Sequence, residues 1–342
     1  MSNSAQIFCT LDDLITDLES PGGDVTRMMQ AIKDASDYLQ KEIGWFIPVT
    51  QTVKRNGLGD TKLFLPALLA ATAIVNDDDT LVANVDYLLR PDPPHWMNGP
   101  YTWLEVGPDA TLLSGWYEAE NGVQVTGRWG LYEKSVALTA TVADTAQQSD
   151  SQGTLKVNDG SQVSPGMVLL LGSEQELVTG YGSPTASVTA LNGLVDANTE
   201  EITVDDASLI NVGEVFRVDF EQFKCRDRNT TTEKVHVYRG WNKTNRVQHL
   251  DNAAVDAYRT FNVDRACNGT TAAAHLINAA ISRYDPPDDV RFLAREIATL
   301  MLNKAKSGYA GKSGNEQTGT TFYNDAFPRF DIDRVKEAYY LP

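Results

Sequence analysis

Two segments of this chain each occur twice, in an order that tandem duplication does not produce. Residues 155–178 (LKVNDGSQVSPGMVLLLGSEQELV) align without gaps on 202–225 (ITVDDASLINVGEVFRVDFEQFKC). Val157/Val204, Asp159/Asp206, Ser161/Ser208, Gly166/Gly213, Val168/Val215, Glu174/Glu221 and Gln175/Gln222 coincide. Residues 237–258 (VYRGWNKTNRVQHLDNAAVDAY) align in the same way on 263–284 (VDRACNGTTAAAHLINAAISRY). There Arg239/Arg265, Asn242/Asn268, Thr244/Thr270, His249/His275, Leu250/Leu276, Asn252/Asn278 and Tyr258/Tyr284 coincide. The order is A, A, B, B, where a tandem copy would read A, B, A, B. Nesting accounts for it: an inner module, 202–258, is inserted into a loop of an outer one whose halves are 155–180 and 263–284. A surface loop between strands tolerates such an insertion. The first repeat reads as β-rich runs around a turn. The second begins as a strand, turns at Asn-Gly or Lys-Thr, and continues through an Ala-rich stretch compatible with helix or irregular structure.

The flanks read differently. Thr10 is a good N-cap, with Asp12 and Asp13 in the first turn of a helix that Pro21-Gly22-Gly23 ends. A second helix starts near Asp24, with Val25, Met28, Ile32, Ala35 and Leu39 at helical spacing. Short β-rich runs then follow at 47–53, 61–65, 71–75, 85–89, 101–106 and 123–130, separated by turn residues. Asp77-Asp78-Asp79 reads as a solvated hairpin turn. Helical spacing returns after Pro286-Pro287, with Val290, Leu293, Ile297 and Leu300, and a last short helix is expected at 332–340. The expected fold is α+β. Residues 1–140 and 285–342 form a helical bundle with a small antiparallel β-segment. Residues 141–154 are a linker, and 155–284 form an inserted all-β domain of two nested similar modules.

Charge and motifs exclude more than they assign. The chain of 342 residues has a formal net charge of −17, so a general basic surface for nucleic acid is not expected. The excess is concentrated in residues 1–150, with 21 acidic against 9 basic side chains. Cys9, Cys225 and Cys267 form an odd, widely spaced set that suits neither a disulfide framework nor a zinc site. No export signal and no apolar run of membrane-spanning length is read, so reduced thiols are expected. Gly311-Lys312-Ser313 resembles the end of a phosphate loop but lacks its first glycine and follows a helix, not a strand. No nucleophile elbow or HExxH is present. His249 and His275 occupy one repeat position, which suits a scaffold role. Cys267 aligns with Trp241, which suits a packed side chain. Trp96, Trp103, Trp116 and Trp129 read as core or subunit interface before ligand cage. No catalytic residue, cofactor or metal site is read, and the chain is not expected to be an enzyme.

Several strings occur in a telling succession: Ile43-Gly44-Trp45-Phe46-Ile47-Pro48-Val49, Leu63-Phe64-Leu65-Pro66, Asp86-Tyr87-Leu88-Leu89-Arg90-Pro91, Gly99-Pro100-Tyr101-Thr102-Trp103-Leu104-Glu105, and Val123-Gln124-Val125-Thr126-Gly127-Arg128-Trp129-Gly130. With two helices before them and helices from Pro287 and near Asp331 after, this resembles the head–tail connector (adaptor) proteins of tailed bacteriophages. The N-terminal likeness covers about 10–130, and the closing helices about 286–342. The chain departs from the family in its large 150–284 insertion. Asn268-Gly269-Thr270-Thr271-Ala272-Ala273-Ala274-His275 is also similar to a module recurrent in phage structural proteins.

The resemblance implies a structural virion protein, made in the host cytoplasm and placed in the neck between capsid and tail. It implies a homo-oligomeric ring that docks on the portal protein, extends the DNA channel and supports the tail or a stopper protein. Genomic DNA would pass without sequence-specific binding, and no membrane is involved. Phe322, Tyr323, Phe327, Phe330 and Tyr340 gather aromatics beside the Gly-rich 307–321 stretch and are the candidate portal contacts. Closure of the core is the other role open to them. The alternative function is a capsid- or tail-surface module that binds carbohydrate or a host surface, resting on the duplicated β-units.

Overall fold

The computed structural model describes residues 4–17, 24–95, 99–110, 114–144, 147–306, 312–315, 319–322 and 329–340. Helix α1 (Leu11–Asp17) starts with a reciprocal cap: the Asp13 N–H donates to Thr10 Oγ1 at 3.2 Å, and the Thr10 N–H to Asp13 Oδ2 at 3.0 Å. Helix α2 (Val25–Glu42) is capped by Asp24, whose side chain accepts from the Arg27 N–H. It buries Met28, Ala31, Ile32, Ala35, Ser36 and Leu39, the face its helical spacing sets out.

The first sheet follows. Its strands are β1 (Val49–Arg55), β2 (Lys62–Asn76), β3 (Asp79–Thr80), β4 (Tyr87–Arg90), β5 (Tyr101–Val106) and β6 (Val123–Trp129). The order is β1-β6-β2-β5-β4, with β3 paired to β2, and every pairing is antiparallel. The runs expected separately at 61–65 and 71–75 are one strand. Pro66 sits exposed where the β2–β5 register shifts between Phe64 and Leu68, so its missing N–H is tolerated. Leu63, Leu65, Leu68, Leu104, Trp116, Val125 and Trp129 give this sheet a core of its own.

Two more six-stranded sheets come from the repeats. In chain order the strands are β7 (Ser135–Thr141), β8 (Gln147–Gln148), β9 (Thr154–Lys156), β10 (Val168–Leu171), β11 (Glu174–Tyr181), β12 (Thr185–Ala190) and β13 (Glu201–Thr203). They continue with β14 (Val215–Val218), β15 (Glu221–Asn229), β16 (Lys234–Arg239), β17 (Ala254–Ala257), β18 (Thr260–Asp264), β19 (His275–Leu276) and β20 (Ala280–Tyr284). One sheet is ordered β7-β20-β10-β11-β18-β9 and the other β12-β17-β14-β15-β16-β13. Position by position, corresponding strands of the two repeats occupy corresponding places. In the second of these sheets β15 turns directly into β16. In the first, β11 ends at Tyr181 and its partner β18 begins at Thr260, and the other sheet fills that interval. Residues 141–154, expected to be a linker, carry β8, which pairs with β19, and Gln148 is fully buried there. The end of the Ala-rich part of the second repeat is strand in both copies, β17 and β20, whereas residues 271–274 are irregular.

The chain then closes with α3 (Asp288–Lys306), a small hairpin of β21 (Lys312–Asn315) and β22 (Gly319–Phe322), and α4 (Arg329–Ala338). Val290, Leu293, Ala294 and Ile297 of α3, with Ile332 and Val335 of α4, join the buried face of α2 in one core. Ala5, Ile7, Phe8, Cys9 and Phe46, with Val168, Val215, Trp241, Tyr258, Cys267 and Tyr284 of the two repeat modules, share it. All four helices lie near their expected places, yet the expected class is overturned. Of the described residues 39% are strand and 21% helical, which is not a helical bundle with a small β-segment. Helical spacing marks where helices form but not how much chain they hold: α1 has 7 residues, whereas β2 alone has 15.

Candidate functional site

The identical repeat positions converge on one point in each module. In the inner module, Arg239 is wholly buried and its guanidinium forks onto Glu221, Nε to Oε1 and Nη2 to Oε2, both at 2.7 Å. Arg239 also donates to the Asp196, Thr199 and Val247 carbonyls. Glu221 accepts further from the Gly240 and Val247 N–H groups and lies 3.0 Å from His249 Nε2. The outer module repeats each bond. Arg265 forks onto Glu174 at 2.7 Å and 2.7 Å and donates to the Ser149, Gln152 and Ala273 carbonyls. Glu174 accepts from the Ala266 and Ala273 N–H groups and lies 2.9 Å from His275 Nε2. Each arginine therefore ties two loops to the central hairpin. A buried charge pair of this kind is tolerated because every lone pair and proton finds a partner. Both histidines bond a carboxylate rather than the backbone.

The modules differ beside that clasp. Where the inner module has Phe223 and Val195, the outer has Glu176 and Gln148. Phe223 lies under the Arg239 guanidinium, 4.9 Å from ring centroid to Cζ. Glu176, fully buried, lies instead 2.9 Å from Arg265 Nε and accepts from Gln148 Nε2 at 3.2 Å. One N–H thus faces two carboxylate oxygens, Glu174 Oε1 and Glu176 Oε1. Among the described residues no hydrogen-bond partner reaches Glu176 Oε1 or Gln148 Oε1. Burial pushes the Glu174 carboxyl up, but bonds from Arg265, the Ala273 N–H, His275 and the Ala266 N–H outweigh it and hold it at about 2. Burial pushes Glu176 up to about 7, against the pull of Arg265.

Glu174, Glu176 and His275 offer atoms within 4.8 Å of one another, the only such three-residue group among the described residues. The set does not fit a cation. Glu174 already accepts five hydrogens, and the Arg265 guanidinium stands between the carboxylates, so its charge opposes a second positive ion. What the cluster can do is take up or release one proton near neutrality at Glu176. Identity between repeats pointed to the clasp, but Glu176 and Gln148 are mismatches; the signal for them was a buried polar pair opposite an apolar one.

The other candidate residues are dispersed. Tyr340 is 74% exposed beyond the end of α4. Phe322 lies in β22 and Phe330 in α4, their side chains undescribed, and Tyr323 and Phe327 lie outside the described residues. Trp116 and Trp129 are core, Trp103 is half-buried, and Trp96 lies outside the described residues. Asp77 turns the chain between β2 and β3 at φ 58°. Cys9, Cys225 and Cys267 are buried and form no disulfide with one another, and burial pushes the Cys225 and Cys267 thiols up to about 11, away from nucleophilic use. No described helix is long and apolar enough to cross a membrane. No family model, no curated protein and no solved structure matches this chain.

Proposed function

We propose that the chain is a head–tail connector of a tailed bacteriophage, a non-enzymatic structural protein of the virion neck. It forms a homo-oligomeric ring on the portal protein, extends the DNA channel and carries the tail or a stopper protein. The observation that carries this reading is the way the ends of the chain meet. Helix α2, before the first sheet, packs with α3 and α4, after the repeat sheets, in one core. That arrangement agrees with the order in which the sequence resembles connectors, with the β-modules as an insertion between. Both Arg–Glu clasps are consumed by internal bonds, which suits a rigid building block. A net charge of −17 suits a surface that DNA passes without sticking.

The test is to mix the purified protein with the portal protein of the same phage and image the mixture by negative stain. A ring on the portal's narrow end is expected; no ring would overturn the reading. Removal of the last helix is unsuitable for locating the contact, because Ile332 and Val335 are core. Tyr340→Ser changes an exposed side chain alone and should weaken docking without altering the fold.

One observation favours the second reading, a surface-binding module. Phe220 is 92% exposed at the turn from β14 to β15. Its neighbour Asp219 lies 2.8 Å from His249 Nδ1, and His249 bridges Val195. That brings exposed Leu194 and Leu250 to the same end of the module. Retention of the chain on a glycan array, lost with Phe220→Ser, would favour this reading.

A further inference from the structure

The outer module holds residues 5–9, a stretch of neither helix nor strand, with a pair of side-chain amides. Asn268 Oδ1 accepts the Ala5 N–H at 2.8 Å, and Asn268 Nδ2 donates to the Ala5 carbonyl at 3.3 Å. The same Nδ2 donates to Gln175 Oε1 at 2.8 Å, and Gln175 Nε2 donates to the Pro48 carbonyl at 2.9 Å. Asn268 thus serves both backbone groups of one residue, as a neighbouring strand would. Ala5 to Cys9 are buried on this seat.

The inner module has the same pair. Asn242 Nδ2 donates to Gln222 Oε1 at 2.8 Å. The bracing is also the same: the Gln222 N–H donates to Thr244 Oγ1 and Gln222 Nε2 to the Tyr258 hydroxyl, as Gln175 does to Thr270 and Tyr284. The occupant differs. The Tyr181 hydroxyl meets the Asn242 side chain, but Asn242 Oδ1 is shielded from solvent and no hydrogen-bond donor reaches it among the described residues. A buried acceptor without a donor calls for an explanation. The residue after it differs too. In the outer module it is Gly269, where a Cβ would stand 2.0 Å from the Thr50 carbonyl of β1. In the inner module it is Lys243, which is exposed. Among the described residues no strand covers the inner pair as β1 covers the outer. Asn242 and Gln222 instead line an open groove of about 870 Å³. Ser4 and Ile7 of the seated segment, Met29 of α2 and Tyr181 line the same groove.

We propose that this groove is a binding site for an extended, uncharged segment of a partner protein, held at one residue's backbone by Asn242 as Ala5 is by Asn268. The seated segment shows the chemistry the pair accepts. The gripped residue is small, like Ala5, because its backbone lies against the amide. An apolar residue two places on, like Ile7, falls on the same side of an extended chain and meets Met29 and Tyr181. The lining carries one base and one acid, Lys33 and Asp264, so it selects no net charge. This is recognition of a strand through its main chain, and it does not rest on the connector reading.

The probe is the acetylated, amidated hexapeptide Asn-Ser-Ala-Gln-Ile-Phe, the sequence of residues 3–8, titrated into the full-length nitrogen-15-labelled chain and followed by NMR. Saturable shifts of the Trp241 indole and the Gln222 and Asn242 amide signals are expected. Asn242→Gly suits the left-handed backbone at φ 53° and removes the amide. It should weaken binding by about tenfold, the scale of one hydrogen bond. Asn242→Asp keeps the acceptor and should bind within about threefold of the parent on the same scale. The proposal is overturned by an absence of saturable shifts at millimolar peptide. It is equally overturned if shifts are confined to Asn268 and Gln175, which would mean exchange at the occupied seat, or if Asn242→Gly binds as the parent does.

Discussion

Glu176 should make the outer module lose stability as the pH rises through neutrality, and its twin offers the control. The folded chain holds the Glu176 proton up to about pH 7, against an ordinary value of 4.5. A carboxyl raised on folding contributes stability that is complete below its unfolded value and is gone above its folded value. The window is therefore about pH 4.5 to 7, with stability falling upward. The displacement corresponds to about 3 kcal/mol at full extent. Glu174 has the opposite sign. Held at about 2, it contributes stability above 4.5 that is lost only as the pH falls toward 2, outside that window.

Glu176→Gln keeps the shape and the bond to Gln148 but cannot ionise. At about pH 5 it should match the parent; at about pH 8 it should be more stable by about 2–3 kcal/mol. Glu176→Phe with Gln148→Val carries the inner module's pair into the outer one and should flatten the profile in the same way. Urea unfolding at the two pH values, with hydrogen exchange of the Leu177 and Cys267 amides to locate the effect, measures it. An equal difference between parent and variant at both pH values would refute the account of Glu176 as a proton-holding group.

Other outcomes follow from single contacts. Gly269→Ala puts a Cβ 2.0 Å from the Thr50 carbonyl at φ +78° and should cost more than about 2 kcal/mol in thermal unfolding. Lys243→Ala, at the twin position and exposed, should cost less than about 0.5 kcal/mol. Arg239→Met leaves the buried Glu221 carboxylate unpaired and should cost about 3–5 kcal/mol, seen as lost exchange protection across β14 to β16. Gly160→Ala meets the Tyr258 carbonyl at 2.2 Å, where Glu214 bonds both the Gly160 N–H and Arg259. It should loosen the seam between the modules, and small-angle scattering should register a larger radius of gyration.

The members of each clasp were legible in the repeat as coinciding positions, but the bonds between them were not. Arg239, Glu221, His249, Asn242, Gln222, Thr244 and Tyr258 are repeated because they bond one another, and a network keeps its members together. Periodicity located the four helices for a related reason, since a buried stripe must recur at the helical period. The same signal did not weigh helix against strand over the whole chain, and the first sheet is larger than its short β-runs implied. Contacts made across the chain were also hidden. Nothing near Ala5 announces Asn268, which is 263 positions away.

The mismatches between the repeats carry a different kind of information. Identical positions build the module, so they recur wherever the module does. Positions that differ lie where each copy meets something the other does not. Gly269 faces β1, whereas Lys243 faces solvent. Glu176 and Gln148 replace an apolar pair and bring a titrating group into the outer core. Phe220, 92% exposed, stands where the outer module has Ser173. Two copies in one chain thus serve as each other's reference, and the search for function narrows to the places where they disagree. The peptide titration and the Glu176 pH profile each probe one such place, one through Asn242 of the inner module and one through Glu176 of the outer.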